Sequence, residues 1–371
     1  MIAGGTAATI VVIADLHLAA GRHDPFSSDA ALVAFLDDLA TRARRGRAPR
    51  LVLLGDTLDF TLVELAGRRL DPTIEGALGR LECIEGAHRT VFAALRRAIQ
   101  AGVVVHIVPG NHDLELFLPS VLDRLRELLA AEQSTLQLHP WFIHLPGVAH
   151  LEHGQQHHDL NRVPNLLQTG ARATVAIPAG TVYGEYLLAL TDLFDLDLPI
   201  EAISARSVGA AARQHPRRLA RSIAPTLAAA RALARCEIQA RRAGRAPGAP
   251  ALRDAGDGMP HETRRELERV SASTPLGAVR RLAGRRAEHY MVARAQAVHD
   301  VLTATGRAVP YYVLAHTHEA ADRPLTGDPA GPRYMNPGTW SRLAAADAPR
   351  CCYVELRSAD GAPSARLGAW G

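Results

Sequence analysis

Five short polar clusters punctuate the 371-residue sequence: Asp15-Leu16-His17, Gly55-Asp56-Thr57-Leu58-Asp59, Gly110-Asn111-His112-Asp113, His153-Gly154 and His316-Thr317-His318. Together they supply carboxylate, imidazole and amide groups and no thiolate. Such mixed oxygen and nitrogen donors suit Mn, Fe, Zn or Co better than Ca or Mg. Taken singly, a DxH or HxH pair is an ordinary surface or capping feature. Taken as a set they are not, because ionisable groups gathered at buried chain positions each cost several kcal/mol unless a metal or an ion partner meets them.

The elements that must position these groups are legible around them. Four of the clusters end strand-like runs: TIVVIADLH from Thr9, RLVLLGDTLD from Arg50, VVVHIVPGNHD from Val103 and YYVLAHTH from Tyr311. Continuous apolar runs of this kind indicate strands buried on both faces. After the first run, Asp29 is placed to cap a helix with Leu32, Phe35, Leu36 and Leu39 on its apolar face and the basic run Arg42 to Arg47 at its end. A second helix is expected over residues 80–100, where Val91, Phe92, Leu95 and Ile99 recur at spacings of three and four. The order β-α-β-α-β is an α/β architecture. Ligands of open α/β sheets collect beyond the carboxyl ends of the strands, which is where the polar clusters fall. From about residue 160 to 305 the sequence becomes Ala/Arg-rich and helical in pattern, with one stripe at Leu219, Ile223 and Leu227 and another at Met291, Val298 and Leu302. A Pro/Gly/Ala stretch from Ala243 to Pro260 interrupts it and is expected to be a loop. After His318, RYMNPGTW reads as a turn and CCYVEL and PSARLGAW as strands.

In this order the motifs resemble the calcineurin-like metallophosphoesterase family, whose pattern is DxH, GDxxD, GNHD, a separate His and GHxH. The resemblance covers residues 9–160 and 309–340. It departs at Ala315 and Glu152, where the family usually or often has glycine, and neither position supplies a ligand side chain. The resemblance implies an α/β sandwich of two mixed sheets flanked by helices, built from residues 1–160 and 306–371, with residues 161–305 inserted as an α-helical cap. It also implies one metal held by Asp15, His17, Asp56 and His318, and a second held by Asp56, Asn111, His153 and His316, with Asp56 shared. Two divalent transition-metal ions about 3.5–4 Å apart lower the pKa of a bridging water towards ~7 and neutralise phosphoryl oxygens. A metal-bridging hydroxide is then the expected nucleophile for hydrolysis of a phosphate ester or pyrophosphate. Mn leads the candidate metals, ahead of Fe, Zn and Co. His112 would face the phosphate as acid or charge stabiliser, and Asp113 would orient it. Asp59 would accept a hydrogen bond from a ligating imidazole or serve as a turn residue. His157, His158, Asp159, Asn161 and Arg162 read as solvated loop groups at the edge of the pocket, the last two as low-grade candidates for substrate contact.

Composition bears on substrate and location. The sequence is 47% hydrophobic and 22% charged, without the run of about 18 apolar residues that spans a bilayer, so a soluble protein is expected. The N-terminal MIAGGTAATIVVIA lacks the basic start of a signal peptide and runs into Asp15, so it reads as a core strand. Cys83, Cys236, Cys351 and Cys352 show no CxxC spacing, which favours a reducing cytoplasm. All 42 basic residues are arginine, and residues 201–300 hold 19 of them against 9 Asp plus Glu. Over a metal site these arginines could grip an anionic phosphorylated small molecule, nucleotide or lipid. They could also touch an anionic membrane surface peripherally. Nucleic acid fits less well, since Tyr290 is the only aromatic residue between 201 and 300 to stack on a base. A helical insertion is partly similar to that of UDP-2,3-diacylglucosamine pyrophosphohydrolases, but those enzymes generally carry arginine where His112 stands. A degenerate scaffold that binds a partner protein is the alternative to an enzyme, and missing ligands would be its signature. None is missing.

Overall fold

The alternation of side chains along each strand sets the layers. In β1 (Ala8–Ile13), Ile10 and Val12 fall in one buried cluster while Val11 and Ile13 fall in another, as expected where successive residues point to opposite faces. The computed structural model describes residues 8–66, 73–158, 160–163, 166, 177–194, 213, 227, 231, 259–271, 287–325, 327–343, 348–358 and 362–371. Leu219, Ile223, Cys236, Asp159 and residues 243–258 of the expected loop lie outside them.

The first sheet has six strands. β1, β2 (Arg50–Leu54), β3 (Val104–Val108) and β4 (Leu136–Leu138) run parallel, and β10 (Cys352–Ser358) and β11 (Ser364–Ala369) extend the sheet antiparallel from β1. Helices cover its outer face: α1 (Asp29–Arg44), α2 (Ile74–Ala87), α3 (Arg89–Gln100) and α4 (Pro119–Leu129). The second sheet has the order β5 (Phe142–Leu145), β6 (Ala149–Glu152), β7 (Tyr311–Leu314), β9 (Arg333–Asn336), β8 (Ala321–Pro324), again of mixed direction. The two sheets pack face to face through Ile10, Val12, Val52 and Leu54 against Leu151, Val313 and Met335. This is the α/β sandwich of two mixed sheets flanked by helices that the motifs imply.

The elements differ from the sequence reading in three places. The expected helix over 80–100 is two helices, α2 and α3, broken at His88, whose ring lies 2.8 Å from an Asp29 oxygen and 3.0 Å from an Asp24 oxygen. Asp29 therefore does not cap α1. Ser28 holds the cap position, and its hydroxyl donates instead to the Trp340 carbonyl at 2.9 Å. RYMNPGTW is not only a turn, since its first residues form β9. Of the helices described in the Arg-rich stretch, α5 (Ala179–Phe194), α6 (His261–Ser271) and α7 (Ala287–Ala304), the last two bury Leu267, Met291, Val298 and Leu302 against Phe142, Tyr312 and Tyr334 on the outer face of the second sheet. They form its helical layer, placed there by the apolar stripe that the sequence reading assigned to a cap. Among the described residues no helix is long and apolar enough to cross a membrane.

Candidate metal centre

Each polar cluster begins within three residues of a strand end, and the register brings the ends together. Leu54 of β2 pairs with Val108 of β3, and Ile13 of β1 with Leu53, so the chain delivers Asp15, Asp56 and Asn111 to one edge. In the second sheet Glu152 of β6 pairs with Leu314 of parallel β7. His153 and His316 therefore leave side by side, tied by the Ala315 amide donating to the His153 carbonyl at 2.9 Å. The first-sheet loops are knitted likewise, Asp15 N–H to Gly55 O at 3.1 Å and His17 N–H to Asp56 O at 2.8 Å.

The turns that aim these side chains are strained. Asp15, His17, Asp56, His316 and His318 have φ of 51°, 52°, 48°, 73° and 61°, a region that costs an ordinary residue on the order of 1–3 kcal/mol. Gly55 is required by contact as well as by its φ of 83°, for a Cβ there would lie 2.1 Å from His153 Nδ1.

The side chains converge in two adjoining groups, Asp15, His17 and His318 in one and Asp56, His153 and His316 in the other, each offering ligand atoms within 4.8 Å of one another. In the first, His17 Nε2 lies 3.2 Å from His318 Nε2, which is 3.4 Å from Asp15 Oδ1. In the second, His153 Nε2 lies 3.2 Å from Asp56 Oδ2 and 3.3 Å from His316 Nδ1. Asp56 Oδ2 is also 3.8 Å from His17 Nε2, so that carboxylate faces both groups. Asp15 Oδ1 and Asn111 Oδ1 are buried without any hydrogen-bond partner. Acceptor atoms left so are costly, and a cation is the partner that this donor set fits. Two of the imidazoles have their outer nitrogen engaged: His153 Nδ1 on the Leu54 carbonyl at 2.9 Å and His17 Nδ1 on Asp59 Oδ2 at 2.8 Å. Such partners fix ring orientation and leave Nε2 to the site.

Residues 8–189 match the model of the calcineurin-like phosphoesterase family. That stretch belongs to the family. Comparison with curated proteins finds no match. The matched stretch stops short of His316 and His318, which β7 carries to the same site.

In this phosphoesterase domain His112 is held differently from the sequence expectation. Its Nδ1 lies 3.0 Å from Asp59 Oδ2 and 2.9 Å from Thr61 Oγ1. Asp113 does not orient it. That carboxylate accepts the backbone N–H groups of Gly110 at 2.6 Å and Thr57 at 2.9 Å, pinning the second and third clusters to each other. Asp59 sets Oδ2 against the His17 ring, and its other oxygen accepts from Thr61 N–H and Leu62 N–H and shapes the turn Phe60–Leu62. Thr61 is a residue that sequence reasoning missed, as are Thr339, whose hydroxyl donates to the Asp15 carbonyl, and Asn336, whose amide donates to Thr317 Oγ1 at 2.9 Å. Their only signal was position, two residues past Asp59 and in the Asn-Pro-Gly stretch. Of the loop candidates, Asn161 meets His316 and the His158 ring packs on the His316 ring, with centroids 5.5 Å apart. His157 turns inward to Glu152 at 2.8 Å.

Buried opposite charges set the protonation of the metal-free site. Burial alone would raise the Asp56 carboxyl, yet the imidazoles of His153, His112 and His17 hold it well below the usual range. Burial works against charge on His112 too, but Asp59 and Asp56 push its pKa up to about 10. His153 is raised to about 9 against burial by Asp56 and Asp15. Burial and then the neighbouring Asp56 raise Asp113 to about 7. Burial, followed by the adjacent His153, drives His316 the other way, well below its ordinary value. Beside these two groups of candidate ligands a cleft opens, with Asn111, His112 and Thr61 on one wall and Thr181, Glu185 and Leu188 of α5 on the other.

Proposed function

We propose that the chain hydrolyses a phosphate ester or pyrophosphate with two divalent transition-metal ions, Mn before Fe, Zn or Co. Asp15, His17 and His318 would hold one ion, Asn111, His153 and His316 the other, and Asp56 both. The observation that carries this reading is the pair of orphaned oxygens, Asp15 Oδ1 and Asn111 Oδ1, beside two converging groups of imidazole and carboxylate. When bound, such ions acidify water and offset the charge of phosphoryl oxygens.

The chain's own residues do the rest. Asp56 turns Oδ2 towards the imidazoles of both groups while its Oδ1 accepts the His112 backbone N–H at 2.9 Å. With Nδ1 committed to Asp59 and Thr61, His112 keeps Nε2 for the cleft, and a proton there can pass to the leaving oxygen or stabilise developing charge. The cleft wall made by α5 would receive the group attached to the phosphorus. We assign catalytic roles to His112 and Asp59 and a loop-holding role to Asp113. The substrate is an anionic phosphorylated small molecule, nucleotide or lipid. The Arg-rich stretch from 161 up to α6 serves as cap, gripping that substrate and touching an anionic membrane from the cytoplasmic side.

Metal analysis tests the reading. The protein loaded with Mn should hold about two ions per chain and turn over an aryl phosphomonoester or diester. His112→Ala should keep both ions and lose turnover by about 10²-fold, the lower end for removal of a general acid. Absence of both bound metal and Mn-stimulated turnover would sink it.

A further inference from the structure

We propose that Asn161 is a positioning residue that sets the His316 imidazole for metal binding, and that Gly180 at the start of α5 keeps Asn161 in place. The proposal rests on reading His316 as a ligand. His316 turns Nδ1 to His153 Nε2 at 3.3 Å, inside the Asp56 group, and turns Nε2 outward to the Asn161 amide at 3.2 Å. The Asn161 atom at that position is Nδ2; a ring that ligates through Nδ1 carries its proton on Nε2, so on metal binding the amide would turn to present its oxygen there as acceptor. Asn161 is then to His316 what Asp59 is to His17 and the Leu54 carbonyl is to His153.

The loop carrying Asn161 is tied down on several sides. Gln155 donates to the Pro109 carbonyl at 3.0 Å, and Gln156 exchanges two hydrogen bonds with the Val163 backbone at 3.1 and 2.7 Å. The Tyr290 hydroxyl of α7 donates to the His157 carbonyl, and the Asn161 N–H donates to the His158 carbonyl at 3.0 Å. α5 closes the remaining side. Its Gly180 N–H donates to the Leu160 carbonyl at 2.7 Å, and a Cβ at Gly180 would stand 2.0 Å from the other amide atom of Asn161 and 3.1 Å from that carbonyl. The backbone contact cannot move far, so a side chain at 180 displaces the Asn161 amide. The start of α5, whose later residues line the cleft, therefore bears on one metal ligand through a single side chain.

The test is an equilibrium titration of metal-free protein with Co(II), read by its visible absorption, alongside thermal melting and the KM for an aryl phosphate. N161L removes the acceptor at similar volume, and N161D restores one. One of the two ions should bind about 10–100-fold more weakly to N161L, the usual cost of losing an outer partner of a ligand, while the other stays within about twofold. N161D should recover most of the affinity. G180A should reproduce the N161L loss, and the double variant should lose no more than either alone, because both remove one interaction. Two ions bound at wild-type affinity by N161L, with only KM raised, would make Asn161 a substrate contact and overturn the proposal. A folded N161D as weak as N161L, or additive losses in the double variant, would also overturn it. Failure of the wild type to take up Co(II) at all would instead remove the metal reading beneath it.

Discussion

Replacing Asp59 by asparagine is expected to unseat His112 while leaving the local turn intact. Asparagine keeps an oxygen for Thr61 N–H and Leu62 N–H, now accepted at 3.1 and 3.2 Å. It turns an amide NH2 towards His112 Nδ1 and His17 Nδ1 in place of a carboxylate oxygen 3.0 and 2.8 Å away. At 3.0 Å and an effective dielectric of ~20 the lost attraction is about 5 kcal/mol, or roughly 4 pKa units at ~1.36 kcal/mol each. The His112 side chain is 29% exposed, so water screens part of this, and Asp56 still supports the charge. A fall of about 2 units from the wild-type value near 10 is the expected result, read by NMR titration of the metal-free protein's histidines. Because the folded value is raised, the His112 proton stabilises the fold fully below the unfolded value of 6.5 and ceases to do so as pH rises through about 10. The stability gap between wild type and Asp59→Asn should therefore be widest near pH 6 and narrow towards pH 10. In the Mn-loaded enzyme the variant should lose about 10–100-fold in kcat with little change in KM. Asp113→Asn is the control. It should cost about 1–3 kcal/mol of stability through the Gly110 and Thr57 amides yet move His112 far less. If Asp113→Asn lowers the His112 pKa and Asp59→Asn does not, the assignment of these two carboxylates is wrong.

Gly55→Ala should destabilise the protein by about 3 kcal/mol or more, since the new methyl group meets the His153 ring in a left-handed backbone. Its binding of one ion should weaken, and unchanged melting together with full metal content would contradict the described packing. Away from the candidate metal ligands, burial and then the charges of His150 and Arg307 hold His144 at about 4. The unfolded chain then binds the extra proton between about pH 6.5 and 4, and stability should fall as pH drops through that window. His144→Phe should show a shallower loss between pH 7 and pH 5 in denaturant titrations than wild type, and identical profiles would refute the role of His144.

Much of this site is legible in the sequence, and the reason is topological. Parallel strands buried on both faces must be continuous and apolar, so polar residues such as Asp15, Asp56 and Asn111 stand out where β1, β2 and β3 end, and their types name a metal-binding chemistry before any distance is known. The same logic points to His316 and His318 beyond β7. Spacing along the chain says nothing of which strand ends and loops lie beside one another, however. Only the packing of β6 beside β7 sets His153 next to His316, and only the turn after β2 lets Asp59 reach His112 and His17 while Asp113, adjacent to His112 in sequence, spends its oxygens on backbone amides. Sequence neighbours of a side chain such as His112 are poor guides to its partners, because adjacent side chains leave the backbone in different directions. The stripe of Met291, Val298 and Leu302 shows the same limit: its period declares a buried face, but not that the second sheet buries it. The candidate donors and the class of fold follow from residue types and their order. Which donor faces which is set on folding, because hydrogen bonds and ligand geometry depend on distances of a few ångströms that only the folded chain establishes.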